Sequence, residues 1–148
     1  MIRSATPEDI DALVRLEAIF PGDRMSRQSF RRLLNRGIAS ILVYDDGEGV
    51  IANSVVLYRR GSSIGRIYSL VVHPSAQGRG VARALLKAAE LAAFSKGCTS
   101  LRLEVRADNH AALALYAKCG YTPFEQINNY YQDHTPAQRL LKPLRTCL

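Results

Sequence analysis

The sequence feature that most constrains the fold is a turn with two glycines, placed between an apolar run and a helical pattern. The apolar run covers residues 67–72, and residues 77–83 then have the sequence QGRGVAR. Beyond the turn, apolar residues recur with a helical period, and Arg79, Arg83 and Lys87 follow at intervals of four. A strand that leads through such a turn into a helix presents free backbone N–H groups and the positive end of the helix dipole. The turn predicts an anion site, with phosphate favoured and a plain strand-to-helix turn as the alternative.

Two familiar phosphate-binding loops do not match this turn. The dinucleotide signature GxGxxG/A requires Gly or Ala at residue 83, where this chain has Arg83. A P-loop starting at Gly78 requires Gly at the same position, followed by Lys and then Ser or Thr, but Ala84 and Leu85 follow. Both nucleotide-binding loops are therefore excluded.

Length and composition predict one soluble globular domain. The chain has 148 residues, of which 47% are hydrophobic and 22% are charged, as is typical of a folded domain. Its apolar runs reach about six residues, which is too short to cross a bilayer, and residues 1–4 lack the hydrophobic region of a signal peptide. These features predict a cytoplasmic protein with no membrane partner.

Charge and cysteine spacing limit the partners further. The formal net charge of +7 comes mostly from arginine, which suits phosphate and carboxylate groups, although a solvated basic surface explains the charge equally well. No RNA-binding aromatic motif or Cys/His finger is present in the sequence, so nucleic acid is not expected as a partner. Cys98, Cys119 and Cys147 are odd in number and lack metal-ligand spacing. We therefore expect free thiols, two of them buried, and no metal.

Periodicity and capping residues predict a mixed α/β (α+β) fold with the order βααβββαβαββ. Thr6 and Ser26 suit helix starts, and Gly37, Gly97 and Gly120 suit helix ends. The predicted helices cover residues 6–19, 26–36, 81–96 and 111–118. One strand is predicted ahead of the first helix, and the others cover residues 38–44, 50–60, 63–72, 101–106, 121–127 and 138–144. The third helix predicts a parallel crossover. An exposed final strand would let two chains pair, so both a monomer and a homodimer remain open.

A short signature and four further segments together resemble the GNAT family of N-acetyltransferases. Residues 77–82 (QGRGVA) fit that family's pyrophosphate signature Q/R-x-x-G-x-G/A, although Ala82 replaces the commoner glycine. The segments LEVRADN (103–109), ALY (114–116), CGY (119–121) and NYY (129–131) are similar to the RimI-like protein N-terminal acetyltransferases. The resemblance spans nearly the whole chain. It implies a single GNAT domain over residues 1–148, with about four helices flanking a twisted mixed sheet of about seven strands.

The resemblance implies acetyl-CoA as the acetyl donor. It places the pantetheine arm beside Leu70, Val71 and Val72, and the pyrophosphate on Gly78, Arg79, Gly80, Val81, Ala82 and Arg83, with Gln77 in the same motif and Asn109 near the coenzyme. In the family a bulge splays the strand that ends at Val72, so that its N–H groups bond the thioester carbonyl and stabilise the developing oxyanion. From the residues alone, sheet core is the preferred explanation of residues 70–72.

The resemblance also assigns two catalytic residues. Glu104 lies on the polar side of its strand and takes the position of the general base, which an amine needs because it attacks only as the free base. The alternative is a surface ion pair of Glu104 with Arg102 and Arg106. Tyr116 takes the position of the acid that protonates the departing thiolate, and its alternative is a core aromatic residue.

The acceptor stays open at this stage. The family's first two helices border the acceptor site, and this chain has arginines there, at positions 24, 27, 31, 32 and 36. They suggest an acidic acceptor, against the alternative of a solvated helix face. A protein N-terminus is the favoured acceptor and a small amine or amino acid the second. A non-catalytic acyl-CoA binder and a basic nucleic-acid-binding module are the remaining alternatives.

Overall fold

The computed structural model describes residues 1–20 and 25–145. Within them the chain forms four α-helices and seven β-strands in the predicted order, so the mixed α+β class is confirmed. The helices are α1 (Ile10–Ala18), α2 (Arg27–Arg36), α3 (Val81–Ser95) and α4 (His110–Lys118). The strands are β1 (Ile2–Ser4), β2 (Ala39–Asp45), β3 (Val50–Leu57), β4 (Ile64–Val72), β5 (Ser100–Arg106), β6 (Thr122–Ile127) and β7 (Ala137–Pro143).

Local chemistry explains where these elements begin and end. The Ser26 hydroxyl accepts the Ser29 N–H at 3.1 Å and caps α2, and Gly37 ends that helix in the left-handed region at φ 64°. Ahead of α1, Pro7 opens a short 3₁₀ turn rather than the α-helix predicted from Thr6. Strand β3 stops at Leu57, three residues earlier than predicted, because the chain turns from Arg59 to Ser62.

All seven strands form one sheet in the order β1-β2-β3-β4-β5-β7-β6. Neighbouring strands are antiparallel except for β4 and β5, which are parallel and joined by α3 as predicted. The prediction of an exposed final strand is wrong. Strand β7 inserts between β5 and β6, because the β6–β7 hairpin folds back onto β5, and the strands at the edges of the sheet are β1 and β6. The final strand therefore offers no free edge for pairing two chains.

Helices cover the sheet on both faces. Leu86 of α3 and Tyr116 of α4 pack with Leu103 of β5 in one apolar cluster, and Phe30 of α2 packs with Val55 of β3 in the other. Side chains of β5 alternate between the faces, as its sequence predicts, so Leu103 faces α3 while Glu104 faces the side covered by α1 and α2. That side of the sheet is called the α1 face below.

Among the residues that the structure describes, no helix is both long and apolar enough to cross a membrane. The same residues contain no group of three or more His, Cys, Asp or Glu side chains arranged to hold a metal ion. Cys98 is buried and Cys119 is only half-buried, whereas Cys147 lies outside the described residues. The expectation of two buried thiols is therefore met by Cys98 alone among the described cysteines.

Candidate active site

A gap opens in the sheet between β4 and β5. The two strands pair only through residues 64–66 of β4, although β4 continues to Val72 and β5 to Arg106. Opposite β3, the register of β4 shifts between Ile67 and Ser69, so Tyr68 is an extra residue that forms a β-bulge. A bulge bends its strand and re-aims the neighbouring side chains. Beyond Arg66, the edge of β4 that faces β5 has no strand partner among the described residues.

The residues predicted for the pantetheine arm lie along this open edge. Leu70 packs against the apolar core, and Val72 is 8% exposed, so their side chains belong to the core as the alternative explanation held. Their backbone, with that of Val71, borders the gap. The same residues can thus contribute side chains to the core and N–H groups to a bound molecule.

The glycine turn lies at the end of β4, between a 3₁₀ turn (Pro74–Ala76) and the start of α3. Gly78 and Gly80 have φ values of 81° and 78°, and a Cβ at either position would meet no atom within 4 Å. The left-handed backbone conformation, rather than lack of space, therefore favours glycine at both positions. The Gln77 amide donates to the Val72 carbonyl at 3.2 Å and ties the turn to β4.

The start of α3 has free donors for an anion. Gly80 occupies the N-cap position and provides no side-chain acceptor for the first N–H groups of the helix, which include those of Val81, Ala82 and Arg83. The side chains of Arg79 and Arg83 are exposed on the same turn. A diphosphate fits this arrangement, because it would receive backbone N–H groups, the helix dipole and two guanidinium groups.

Glu104 lies on β5 next to the gap, and its side chain is only 4% exposed. One carboxylate oxygen accepts Arg66 Nε at 2.8 Å, and the other accepts Arg139 Nε at 3.0 Å. The alternative explanation, an ion pair with Arg102 and Arg106, is not observed, because Glu104 pairs with Arg66 and Arg139 instead. Residues two apart on one strand are about 7 Å apart, whereas Arg139 lies directly opposite Glu104 on β7.

Two tyrosines of the β6–β7 connection, Tyr130 and Tyr131, lie against arginines close to Glu104. Arg66 donates to the Tyr130 hydroxyl at 3.2 Å and lies 5.8 Å from the ring centre of Tyr68. Arg106 lies 5.0 Å from the ring centre of Tyr131, which meets Tyr130 edge to face. The sequence did not single out Arg66 as a site residue, because Arg66 reaches Glu104 only when β4 lies beside β5 in the sheet.

Tyr116 lies on α4 and is 8% exposed. Its ring meets that of Tyr121 edge to face at 5.5 Å, and burial raises its pKa above the ordinary value of 10. No described residue hydrogen-bonds its hydroxyl, whereas the Tyr121 hydroxyl donates to Glu90 at 2.8 Å. Tyr116 is therefore a core residue whose phenol stays protonated and unengaged, and its role as an acid stays a prediction.

Asn109 caps α4. Its side-chain oxygen accepts the Ala112 N–H at 3.1 Å, which fixes the amide at the start of the helix. This gives Asn109 a structural function of its own, and contact with the coenzyme stays a prediction.

The arginines of α2 lie along a different groove. Arg27 pairs with Asp11 of α1, and Arg27 and Arg31 line a groove of about 400 Å³ beside Pro7 at the start of α1. The side chains of Arg32 and Arg36 are exposed, and Arg24 lies outside the described residues. None of the residues lining this groove borders the gap between β4 and β5, so the groove itself gives no support to an acidic acceptor at the gap.

Comparison with known proteins gives one consistent family. The sequence model described as the Acetyltransferase (GNAT) family matches residues 10–121. Over 82 residues, or 55% of this chain, the sequence is 42% identical to a mycothiol acetyltransferase of Beutenbergia cavernae, and the match spans only 28% of that relative.

Solved structures share the fold over the whole chain. The ribosomal-protein-S18-alanine N-acetyltransferase from Escherichia coli matches with a TM-score of 0.86 and 24% identity, over 100% of this chain and 96% of that one. Ard1 from Thermoplasma volcanium matches with a TM-score of 0.89 and 26% identity, over 98% of this chain and 97% of that one.

Proposed function

Since the chain belongs to the acetyltransferase (GNAT) family, we propose that it transfers the acetyl group of acetyl-CoA to a primary amine by direct attack in a ternary complex. The observation that supports this most is the gap between β4 and β5, which leads directly into the glycine turn at the start of α3. An extended thiol arm fits the open strand edge, and its diphosphate fits the turn. We propose one catalytic domain for the whole of residues 1–148.

The strand edge has a second use in this mechanism. When the amine nitrogen attacks the thioester carbonyl, negative charge develops on the carbonyl oxygen. Backbone N–H groups of Leu70, Val71 or Val72 that point into the gap would donate to that oxygen and stabilise the transition state. The bulge at Tyr68 is what aims this part of the strand away from its neighbour.

Two protons leave the nitrogen in the reaction. The acceptor binds as an ammonium ion near neutral pH and must lose one proton before attack. We assign its acceptance to Glu104, directly or through a water molecule, because the carboxylate lies next to the gap and its Oε2, which accepts Arg139 Nε, has a further lone pair. Tyr116 is proposed to protonate the thiolate that forms when the C–S bond breaks. The second proton of the nitrogen then restores the Tyr116 phenol, directly or through water, so the products are the amide, the CoA thiol and one proton held by Glu104.

The favoured acceptor is the N-terminal α-amine of a protein. Support comes from the RimI-like segments and from the shared fold of a ribosomal-protein alanine acetyltransferase. A small amine or amino acid is the second candidate, supported by the sequence relatives described as mycothiol acetyltransferases.

An acetylation screen separates these acceptors. The purified chain is incubated with acetyl-CoA and, in turn, an alanine-initiated peptide, an N-acetylated lysine peptide, spermidine and free amino acids, and release of CoA is measured with mass spectrometry of the products. We expect the α-amine peptide to react fastest. Acetyl-CoA that raises the thermal stability without any transfer would instead indicate a non-catalytic binder. Salt-dependent duplex binding with no effect of acetyl-CoA would indicate a nucleic-acid module.

Replacing Tyr116 by phenylalanine tests the proposed acid. We expect kcat to fall about 100-fold, because the thiolate would leave without a proton donor. Since burial holds the pKa of Tyr116 above 10, its titration should not lower the wild-type rate below pH 10. Tyr121→Phe is the matched control: it removes a hydroxyl from the neighbouring ring and should leave kcat close to wild type. Equal rates for both variants and the wild type would assign Tyr116 to the core alone.

A further inference from the structure

Glu17, in the last turn of α1, is a buried carboxylate that the proposed mechanism does not use. The residue is 6% exposed, and one of its oxygens accepts the Ser69 hydroxyl at 2.7 Å. Burial raises its pKa, and the Ser69 hydroxyl, the Met25 backbone and the Asn53 amide offset part of that rise. No arginine, lysine or histidine among the described residues forms an ion pair with it.

A carboxylate in this position is unfavourable for the fold. Removal of an anion from water without a cationic partner costs free energy, and the C-terminal end of a helix adds the negative pole of the helix dipole. Glutamine would fill the same volume without either cost. Among the described residues Glu17 is thus a buried carboxyl group without a cationic partner, and a bound cation would stabilise its ionised form.

The Asn53 side chain beside Glu17 is also incompletely satisfied. Asn53 is wholly buried on β3, opposite Val71 of β4, and neither its amide nitrogen nor its amide oxygen has a hydrogen-bond partner among the described residues. It lies near enough to influence the pKa of Glu17 but outside hydrogen-bonding geometry. Buried polar groups normally have partners, so both side chains are consistent with a site that a polar ligand completes.

The bulge turns Ser69, and with it the contact to Glu17, toward the α1 face of β4 beside the gap. Because Tyr68 is the extra residue, Tyr68 and Ser69 both lie on the α1 face, where Tyr68 packs with the α1–α2 cluster and Ser69 meets Glu17. Arg66, which holds Glu104, precedes Ser69 by three residues, or about 10 Å along the strand. On this face the gap therefore has Glu17 on the β4 side and Glu104 on the β5 side.

The two carboxylates differ in charge compensation. Arg66 and Arg139 already neutralise Glu104, so an ammonium group would have to compete with two guanidinium groups for it. Among the described residues, the groups that stabilise the Glu17 carboxylate are all neutral: the Ser69 hydroxyl and, less strongly, the Met25 backbone and the Asn53 amide. A cationic amine that enters from the α1 face gains more from Glu17 than from Glu104.

We propose that Glu17 receives the positively charged amine of the acceptor, with the Ser69 hydroxyl orienting its carboxylate. The inference rests on the proposed acetyl transfer and adds to it the residue that binds the ammonium group before the proton is lost. Glu17 thereby favours amines over hydroxyl and thiol nucleophiles, and Glu104 remains the group that takes the proton.

Binding of two peptides tests this without turnover. With CoA present in place of acetyl-CoA, the affinity of an alanine-initiated hexapeptide is compared with that of its N-acetylated form by calorimetry. The wild type should prefer the free amine about 10-fold or more, since a charge-assisted hydrogen bond is lost with the acetylated peptide. Glu17→Gln should abolish that preference. Glu48→Gln, an equal charge change in an exposed turn, should retain it.

The outcomes separate the two proposals. A Glu17→Gln chain that still prefers the free amine, or a wild type with no preference, overturns the assignment of Glu17. A wild type that prefers the free amine through Glu17 but transfers no acetyl group supports the amine site and overturns the transferase proposal.

Stability provides a second readout. Because the folded pKa of Glu17 is raised, the folded state holds its proton more tightly than the unfolded chain does. As pH rises from 4.5, the ordinary pKa of a glutamate, through the folded pKa, the unfolding free energy of the wild type should therefore fall relative to that of Glu17→Gln. At pH 7 we expect Glu17→Gln to be at least as stable as the wild type. A variant that is less stable at pH 7 and keeps the amine preference would make Glu17 purely structural.

Discussion

Replacing Glu104 by glutamine is expected to lower kcat/KM about 100- to 10,000-fold, the range that a positioned proton acceptor contributes. Glutamine has nearly the same size but cannot take a proton from the amine. It also leaves Arg66 and Arg139 without their shared anion next to the gap. Initial rates of CoA release measure the effect with whichever amine reacts fastest. Titration with acetyl-CoA should show unchanged affinity, because the proposed coenzyme contacts are the β4 edge and the glycine turn, neither of which includes Glu104.

Two further variants separate proton transfer from the ion pairs. Glu125→Gln removes the exposed partner of Arg139 and leaves Glu104 in place, so its activity should stay near that of the wild type. Glu104→Asp keeps the charge for the arginines but withdraws the carboxylate by one methylene. If Glu104 takes the proton, the aspartate variant should lose most of the activity as well. Full activity in the aspartate variant would show that Glu104 serves only to neutralise the arginines.

Valine at Gly80 is expected to weaken acetyl-CoA binding about 10- to 100-fold. Gly80 has φ 78°, and a β-branched residue in the left-handed region costs about 1–3 kcal/mol, which the turn relieves by changing shape. The backbone donors at the start of α3 would then no longer converge on the diphosphate. Calorimetric titration of the variant with acetyl-CoA measures the loss.

Gly61→Val is the matched control for strain. Gly61 lies in the β3–β4 turn with φ 79°, and a Cβ there would also meet nothing within 4 Å. Both variants should therefore lose similar unfolding free energy in denaturant titrations, while Gly61→Val keeps its affinity for acetyl-CoA. Equal affinities in the two variants would contradict the assignment of the glycine turn to the coenzyme.

The features that the sequence predicts well are those decided within a few residues. The turn at Gly78 and Gly80 follows from left-handed geometry, and the inward leucines of β5 follow from the two-residue period of a strand. The parallel crossover through α3 follows from the alternation of strand, helix and strand. For these elements the local pattern and the fold agree.

The features that the sequence does not predict depend on which strands become neighbours. Arg66 and Arg139 are far from Glu104 in the sequence and reach it only because β4 and β7 flank β5. Glu17 and Ser69 meet only because the bulge turns Ser69 toward α1. The error about the final strand has the same cause, because no local pattern shows that β7 inserts between β5 and β6.

The short parallel ladder between β4 and β5 has a consequence for local opening of the sheet. Three residue pairs join the half-sheet β1–β4 to the half-sheet formed by β5, β7 and β6, whereas β5 and β7 are joined along their whole length. We expect amides of residues 68–72 that point into the gap to exchange with solvent deuterium faster than those that point toward β3, which are paired. A molecule hydrogen-bonded along that edge would hold the two half-sheets together, so that one half-sheet opens only with the other.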